Sequence, residues 1–193
     1  MENYSFRRLS TIHQTLRRIF MMKLFFLSFL FILSAHSKNH SFDIFDAAGK
    51  KVGSATIKAA TKGSLISVKL EAAEPGSKAS HLHEKGLCEG PRFTSAGGHF
   101  NPEGKQHGHL NPGGAHLGDL GNIDIAANGK GQKEVKIEGV GFGQSFKHRL
   151  DTESGTSLVI HSKADDEQTD PAGNAGDRIY CGVVSAPKSP KIQ

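Results

Sequence analysis

Residues 81–119 hold six histidines, His81, His83, His99, His107, His109 and His116, and end on Asp119. A satisfied core histidine or a solvated loop does not account for that density. Imidazole in such number suits transition metals such as copper and zinc. A fold for this chain therefore has to let the stretch wrap an ion. A further histidine follows in LVIHSKADD, which supplies His161, Asp165 and Asp166.

The spacing says more than the count. His81 and His83 form H-x-H. On a strand the side-chain period is two, so both rings leave the same face and make a pincer on one rigid element. His99, His107, His116 and Asp119 are spread over Gly- and Pro-rich sequence that can loop round an ion. Three nitrogens and one carboxylate oxygen complete a tetrahedral zinc site with no position left for water, which is the stoichiometry of a structural site.

The N-terminal residues stand apart. Residues 1–23 carry Arg7, Arg8, Arg17, Arg18 and Lys23 against Glu2, and an apolar run follows from Leu24 to Ala35. The run is short for a membrane span and sits between a basic flank and small residues, so residues 1–37 read as a secretory leader that is removed. Met21 or Met22 would serve equally as its start. The run carries no cysteine for a lipid anchor, and no stable membrane anchor is expected. The whole chain is +5, yet without the leader 19 basic residues face 18 acidic ones. A nucleic-acid partner loses its main support with that change. The remainder, 38–193, fits one domain with one core.

Helix signals are absent from that domain. SFDIFD, KVGSATIKAA and LISVKLEAA alternate between Gly- or Lys-bearing turns, and NIDIAA with KEVKIEG forms a hairpin across Asn128-Gly129. SLVIHS and DRIYCGVV supply the last strands. Short strands with Gly-rich turns predict an all-β sandwich or small barrel.

Six pieces, HLHEKGLC, SAGGHFNP, KQHG, AHLGDLGN, VIHSKADD and GNAGDRIYCGVV, occur in an order and spacing that resembles the copper-zinc superoxide dismutases, in their bacterial secreted or periplasmic form. The resemblance runs over residues 41–185. It implies a flattened eight-stranded Greek-key barrel, an Ig-like sandwich, with the metals outside it under two long loops, 84–118 and 163–177. It implies copper on His81, His83, His99 and His161, and zinc on His99, His107, His116 and Asp119. His99 then bridges the two as an imidazolate. Asp165 matches a carboxylate that accepts hydrogen bonds from one copper histidine and one zinc histidine. Arg178 matches the arginine of the substrate channel, and Lys163 is a candidate for steering the anion.

The implied activity is dismutation of superoxide to dioxygen and hydrogen peroxide, with copper alternately reduced and reoxidised and His99 carrying a proton. A secreted copper-binding or copper-buffering protein is the alternative, and it would need neither a bridging histidine nor an anion-binding arginine. A sandwich used only for binding would need no set of seven ligands. Both a monomer and a homodimer fit the sequence. His109 and His148 have no place in the ligand sets and read as solvated loop residues.

Two departures from the family's usual pattern stand out. GSKASHLH places Lys78 where a structural histidine is common, with Ala79 and Ser80 where Gly-Phe is usual. Pro171 falls near the usual steering lysine, and Asp177 directly precedes Arg178. Cys88 and Cys181 are the two cysteines of the chain, and an even count in a secreted chain favours a disulfide over free thiols or a thiolate ligand.

Overall fold

Alternating residues become pleat in the first three strands. The computed structural model describes residues 39–188, so the leader expected at 1–37 lies outside the described residues. Strand β1 (His40–Asp46) turns through Gly49 into β2 (Lys51–Ala60), which returns as β3 (Gly63–Leu70). Asp46 fixes the first turn, its Oδ1 accepting from the amides of Ala48 and Lys50 at 2.9 Å each. Val52, Ile57, Ile66, Val68 and Leu70 point inward and are buried.

The chain continues as β4 (Gly76–His83), β5 (Asp119–Ile125), β6 (Gly131–Glu138), the two-residue strands β7 (Val140–Gly141) and β8 (His148–Arg149), β9 (Thr156–His161) and β10 (Arg178–Ser185). Eight of them close a barrel in the order β1-β10-β9-β4-β5-β6-β3-β2, while β7 and β8 pair separately. β4, β5 and β6 are neighbours, and β3 lies beside β6 instead of beside β4. That crossing is a Greek key, and the eight-stranded barrel is the predicted one. The Asn128-Gly129 turn is also present, with the Gly129 amide on the Ala126 carbonyl at 3.0 Å or less. The short β7–β8 pair gives no alternation to read and was not expected.

The outer face of β4 and β9 positions the site. An antiparallel strand usually leaves one face wet. Here every residue of β9 and the last six of β4 are buried. Leu82, Leu158 and Ile160 face the barrel core. The alternate positions, His81, His83 and His161, leave the other face and lie under the loops at 84–118 and 163–177.

Backbone bonds hold the first loop down on β4. Leu82 N–H donates to Gly118 O at 2.8 Å, Phe100 N–H to Leu82 O at 2.8 Å, and Gly118 N–H to Phe100 O at 2.9 Å. This clamp surrounds the residue between the two pincer histidines. Gly118 has no room for a side chain, since a Cβ there would sit 2.5 Å from Leu82 O. The loop's other anchor is the Cys88–Cys181 disulfide to β10. Phe93, Ala96 and Val159 pack round it in a small cluster of their own.

Candidate metal centre

Four buried ring nitrogens in this region have no hydrogen-bond partner: Nδ1 of His81 and Nε2 of His83, His99 and His161. The four histidines each place one donor atom within 4.8 Å of the others. A buried imidazole nitrogen left without a partner is costly, and four converging ones share one explanation. Their lone pairs face a cation.

The opposite nitrogen of each ring fixes the tautomer. His81 Nε2 lies 2.6 Å from Asp165 Oδ2, His83 Nδ1 donates to Gly97 O at 3.0 Å, and His161 Nδ1 donates to Gly176 O at 3.2 Å. With the proton held outward, the inward nitrogen is a lone pair. Electrostatics agrees. Burial pushes His81 down to about 4, against the opposing pull of Asp165, and pushes His161 down to about 3. Burial and the neighbouring His99 hold His83 well below the ordinary range. All three are neutral near pH 7.

His99 faces the other way with its second nitrogen. Its Nδ1 is 3.0 Å from Asp119 Oδ1, and the Nδ1 atoms of His107 and His116 are 3.1 and 3.2 Å from that same oxygen. His116 Nδ1 is also 3.3 Å from His99 Nδ1. A tetrahedral ion with bonds of about 2.0 Å has donor–donor edges of about 3.3 Å. Three nitrogens and one oxygen at these separations are the corners of such a tetrahedron. His81 lies within 4.8 Å of this second group too. Its Nε2 is committed to Asp165, whereas His116 meets Asp119 at contact distance.

Asp165 ties the two groups together. Its Oδ1 lies 2.9 Å from His107 Nε2 while its Oδ2 holds His81. Burial opposes ionisation of Asp165, but the hydrogen bonds from His107 and His81 outweigh it and keep the carboxyl below the usual carboxylate range. Asp119 is held low in the same way, burial being outweighed by His107, His99 and the Gly108 amide. Without an ion, His107 stands between two carboxylates, which overcome its burial and raise it to about 10.

Three supports of this arrangement were not expected. Asn122 grips the Asp165 backbone, its Nδ2 donating to Asp165 O at 2.9 Å and its Oδ1 accepting from the Asp165 amide at 2.7 Å. Asp170 accepts from the His107 amide at 2.6 Å. Gly173 leaves space for Asp165. Asn122 sits inside the AHLGDLGN piece, but nothing in that sequence marks its side chain as a clamp.

A family model described as copper/zinc superoxide dismutase (SODC) matches residues 51–184. The chain belongs to the copper/zinc superoxide dismutase family. It is 43% identical over 157 residues to superoxide dismutase [Cu-Zn] 1 of Aquifex aeolicus, covering 81% of this chain and 92% of that one. A double mutant of a SOD-like protein from Bacillus subtilis superposes with a TM-score of 0.73 at 39% identity, over 78% of this chain and 99% of that one. The Cu/Zn superoxide dismutase of Brucella abortus superposes with a TM-score of 0.60 at 30% identity, over 76% and 99%. Copper and zinc, the family's metals, fit the two donor sets: one of neutral nitrogens, the other with a carboxylate.

The departures from the family pattern have local explanations. Lys78 is buried, and its ammonium donates to Ser162 O at 2.8 Å, next to His161. Ser80 is fully buried and donates to Gly121 O at 2.7 Å. Both polar groups are satisfied, so the barrel accommodates them. Arg178 donates to Phe93 O at 2.9 Å and to Gly97 O at 2.7 Å. Among the described residues it makes no ion pair with Asp177. Lys163 packs beside Gly176. His109 is exposed, as expected, and pairs with Glu167 at 2.6 Å. His148 differs from expectation. It lies on β8, its side chain only 12% exposed, with Nε2 3.0 Å from Glu103.

Proposed function

We propose that this chain converts two superoxide anions and two protons to dioxygen and hydrogen peroxide. His81, His83, His99 and His161 would hold copper, and His99, His107, His116 and Asp119 would hold zinc. Copper supplies the one-electron couple when bound, and zinc a fixed positive charge that does no redox work. The observation that carries this reading is the ring of His99, whose Nε2 points into one donor set and whose Nδ1 points into the other.

The residues divide the remaining work. His81, His83 and His161 are held in one tautomer by acceptors behind them, so the donor geometry is set before any ion arrives. His99 Nε2 is the nitrogen positioned to take up and hand on a proton. Asp165 couples the orientation of His81 to that of His107. Arg178 provides two anchored N–H bonds and a charge beside His83, with which it shares the Gly97 carbonyl. A small anion is recognised there by charge and hydrogen bonding.

Secretion or passage to a periplasm is part of the reading. The basic, then apolar, leader and the Cys88–Cys181 disulfide support it. No helix among the described residues is long and apolar enough to cross a membrane. Metal analysis with a superoxide-consumption assay on the purified mature chain tests the proposal. One copper, one zinc and rapid consumption are expected. A copper-loaded chain that fails to accelerate superoxide loss would make it a metal-binding protein instead.

A further inference from the structure

The geometry points to Arg92 as a second anion-steering residue, set on the wall of the substrate cleft opposite Arg178. This rests on the dismutase reading. A cleft of about 560 Å³ is lined by Pro91, Arg92, Thr94, Gly176, Asp177 and Arg178. Its inner end abuts two of the proposed copper ligands from behind. Arg178 is the cross-strand partner of His161, the Gly176 carbonyl accepts from His161, and Gly97 O is shared by Arg178 and His83. A cleft this large cannot select a diatomic anion by shape. Capture has to depend on the field.

The charges of the cleft support that role. Arg92 is exposed, and among the described residues no carboxylate lies within ion-pair distance of it. Asp177 is the one acid in the lining. Lys163, packed on Gly176, adds a third cation beside the cleft. The loop near Pro171, where the family usually offers a steering lysine, instead lines a different cavity with Glu84 and Asp170. Positive charge has moved to the disulfide-side wall.

The backbone of Arg92 is fixed although its side chain is free. The next residue, Phe93, is 3% exposed and packs on Cys181 and Val159. The Phe93 amide donates to Glu89 O at 3.1 Å, and its carbonyl takes the Arg178 guanidinium. The two arginines are therefore held on facing walls by one buried residue. An unpaired cation at such a mouth focuses the field on an incoming anion.

The test uses the metal-loaded mature protein with Arg92→Gln, Arg92→Glu and Arg92→Lys. Arg92→Gln should lower the second-order rate with superoxide about two- to three-fold at low ionic strength. Arg92→Glu should lower it further, and Arg92→Lys should leave it near native. Azide affinity at the cupric site, read by optical titration, should fall in the same order with copper and zinc content unchanged. Salt should slow the native protein more than Arg92→Glu. Native rate and native azide affinity in a fully metallated Arg92→Glu would overturn the role, as would equal losses in Arg92→Lys and Arg92→Gln. Should the native protein bind both metals and not turn over, the dismutase reading fails by itself, and the azide series still judges Arg92.

Discussion

His81 on β4 is the direct cross-strand partner of Asp119 on β5. One register position of the barrel thus carries a residue of each donor set. A slip of one residue would send both side chains to the other face of the sheet. The barrel is what brings the H-x-H pincer and the end of the long loop together, and the loop only has to return to where β5 begins.

That relationship separates the two pincer histidines. His83 serves one set alone, with its outer nitrogen on a carbonyl. His83→Ala should lose copper and activity and keep zinc. His81→Ala also strips Asp165 of one partner beside His107. It should lose copper and in addition weaken zinc roughly 10-fold, the usual scale for disturbing a ligand's supporting bond. Elemental analysis with chelator competition checks both. Equal zinc retention in the two variants would contradict the link through Asp165.

Gly173 offers a second view of that link. Its φ is 61°, and a Cβ there would stand 1.8 Å from Asp165 Oδ1 and 2.7 Å from His107 Nε2. Gly173→Ala should push the carboxylate away and lower zinc affinity about 10- to 100-fold. Asp165→Asn should fall in the same range. A Gly173→Ala protein with native zinc affinity would show that the loop can yield.

The ligands were legible because a metal site demands particular residue types at particular intervals. Strand faces were legible because alternation fixes them, as at His81 and His83. The supports were not. Asn122 grips backbone, Gly97 acts through its carbonyl, and Gly173 acts by having no side chain. None of these leaves a pattern in the sequence. His148 was misread as a loop residue because its two-residue strand is too short to alternate, and Glu103, its partner, is 45 residues away.

The disulfide closes a sequence separation of 93 residues. Cys88→Ser should destabilise the protein by up to roughly 4–5 kcal/mol on the chain-entropy estimate. It should also slow turnover more than it reduces metal content, because Phe93 packs in the disulfide cluster and carries the carbonyl that holds Arg178. Denaturant unfolding and rate per bound copper measure the two effects separately.

The metal-free protein should be most stable near neutral pH. Folded His81 and His161 titrate near 4 and 3 and the unfolded chain near 6.5, so their contribution is complete above about 6.5 and is lost as pH falls through the folded values. His107 works in the opposite sense. Raised to about 10, it stabilises fully below about 6.5 and loses that contribution as pH rises through the folded value. Melting temperature against pH should therefore fall on both sides. Zinc should flatten the alkaline side, since an ion on His107 Nδ1 replaces the proton. An alkaline limb unchanged by zinc would remove His107 from the zinc set.

Arg178 is the residue on which substrate capture most depends. It is half-buried, which lowers its pKa, yet a guanidinium stays charged at any working pH. Two carbonyls on different turns of the loop fix its plane. Arg178→Ala should keep both metals and lower the second-order rate about 10-fold or more. Arg178→Glu should be worse, because it reverses the local field. Arg178→Lys should be mildest in rate, since the charge remains, but a single ammonium cannot reproduce the fork that reaches both carbonyls. Gly97 O would then rest on His83 alone, so the spectrum of the cupric site should shift in all three variants. Raising ionic strength should slow the native protein and affect Arg178→Glu less, or in the opposite direction. A metal-replete Arg178→Glu with native rate and native salt response would remove Arg178 from substrate capture and leave Lys163 as the residue to test.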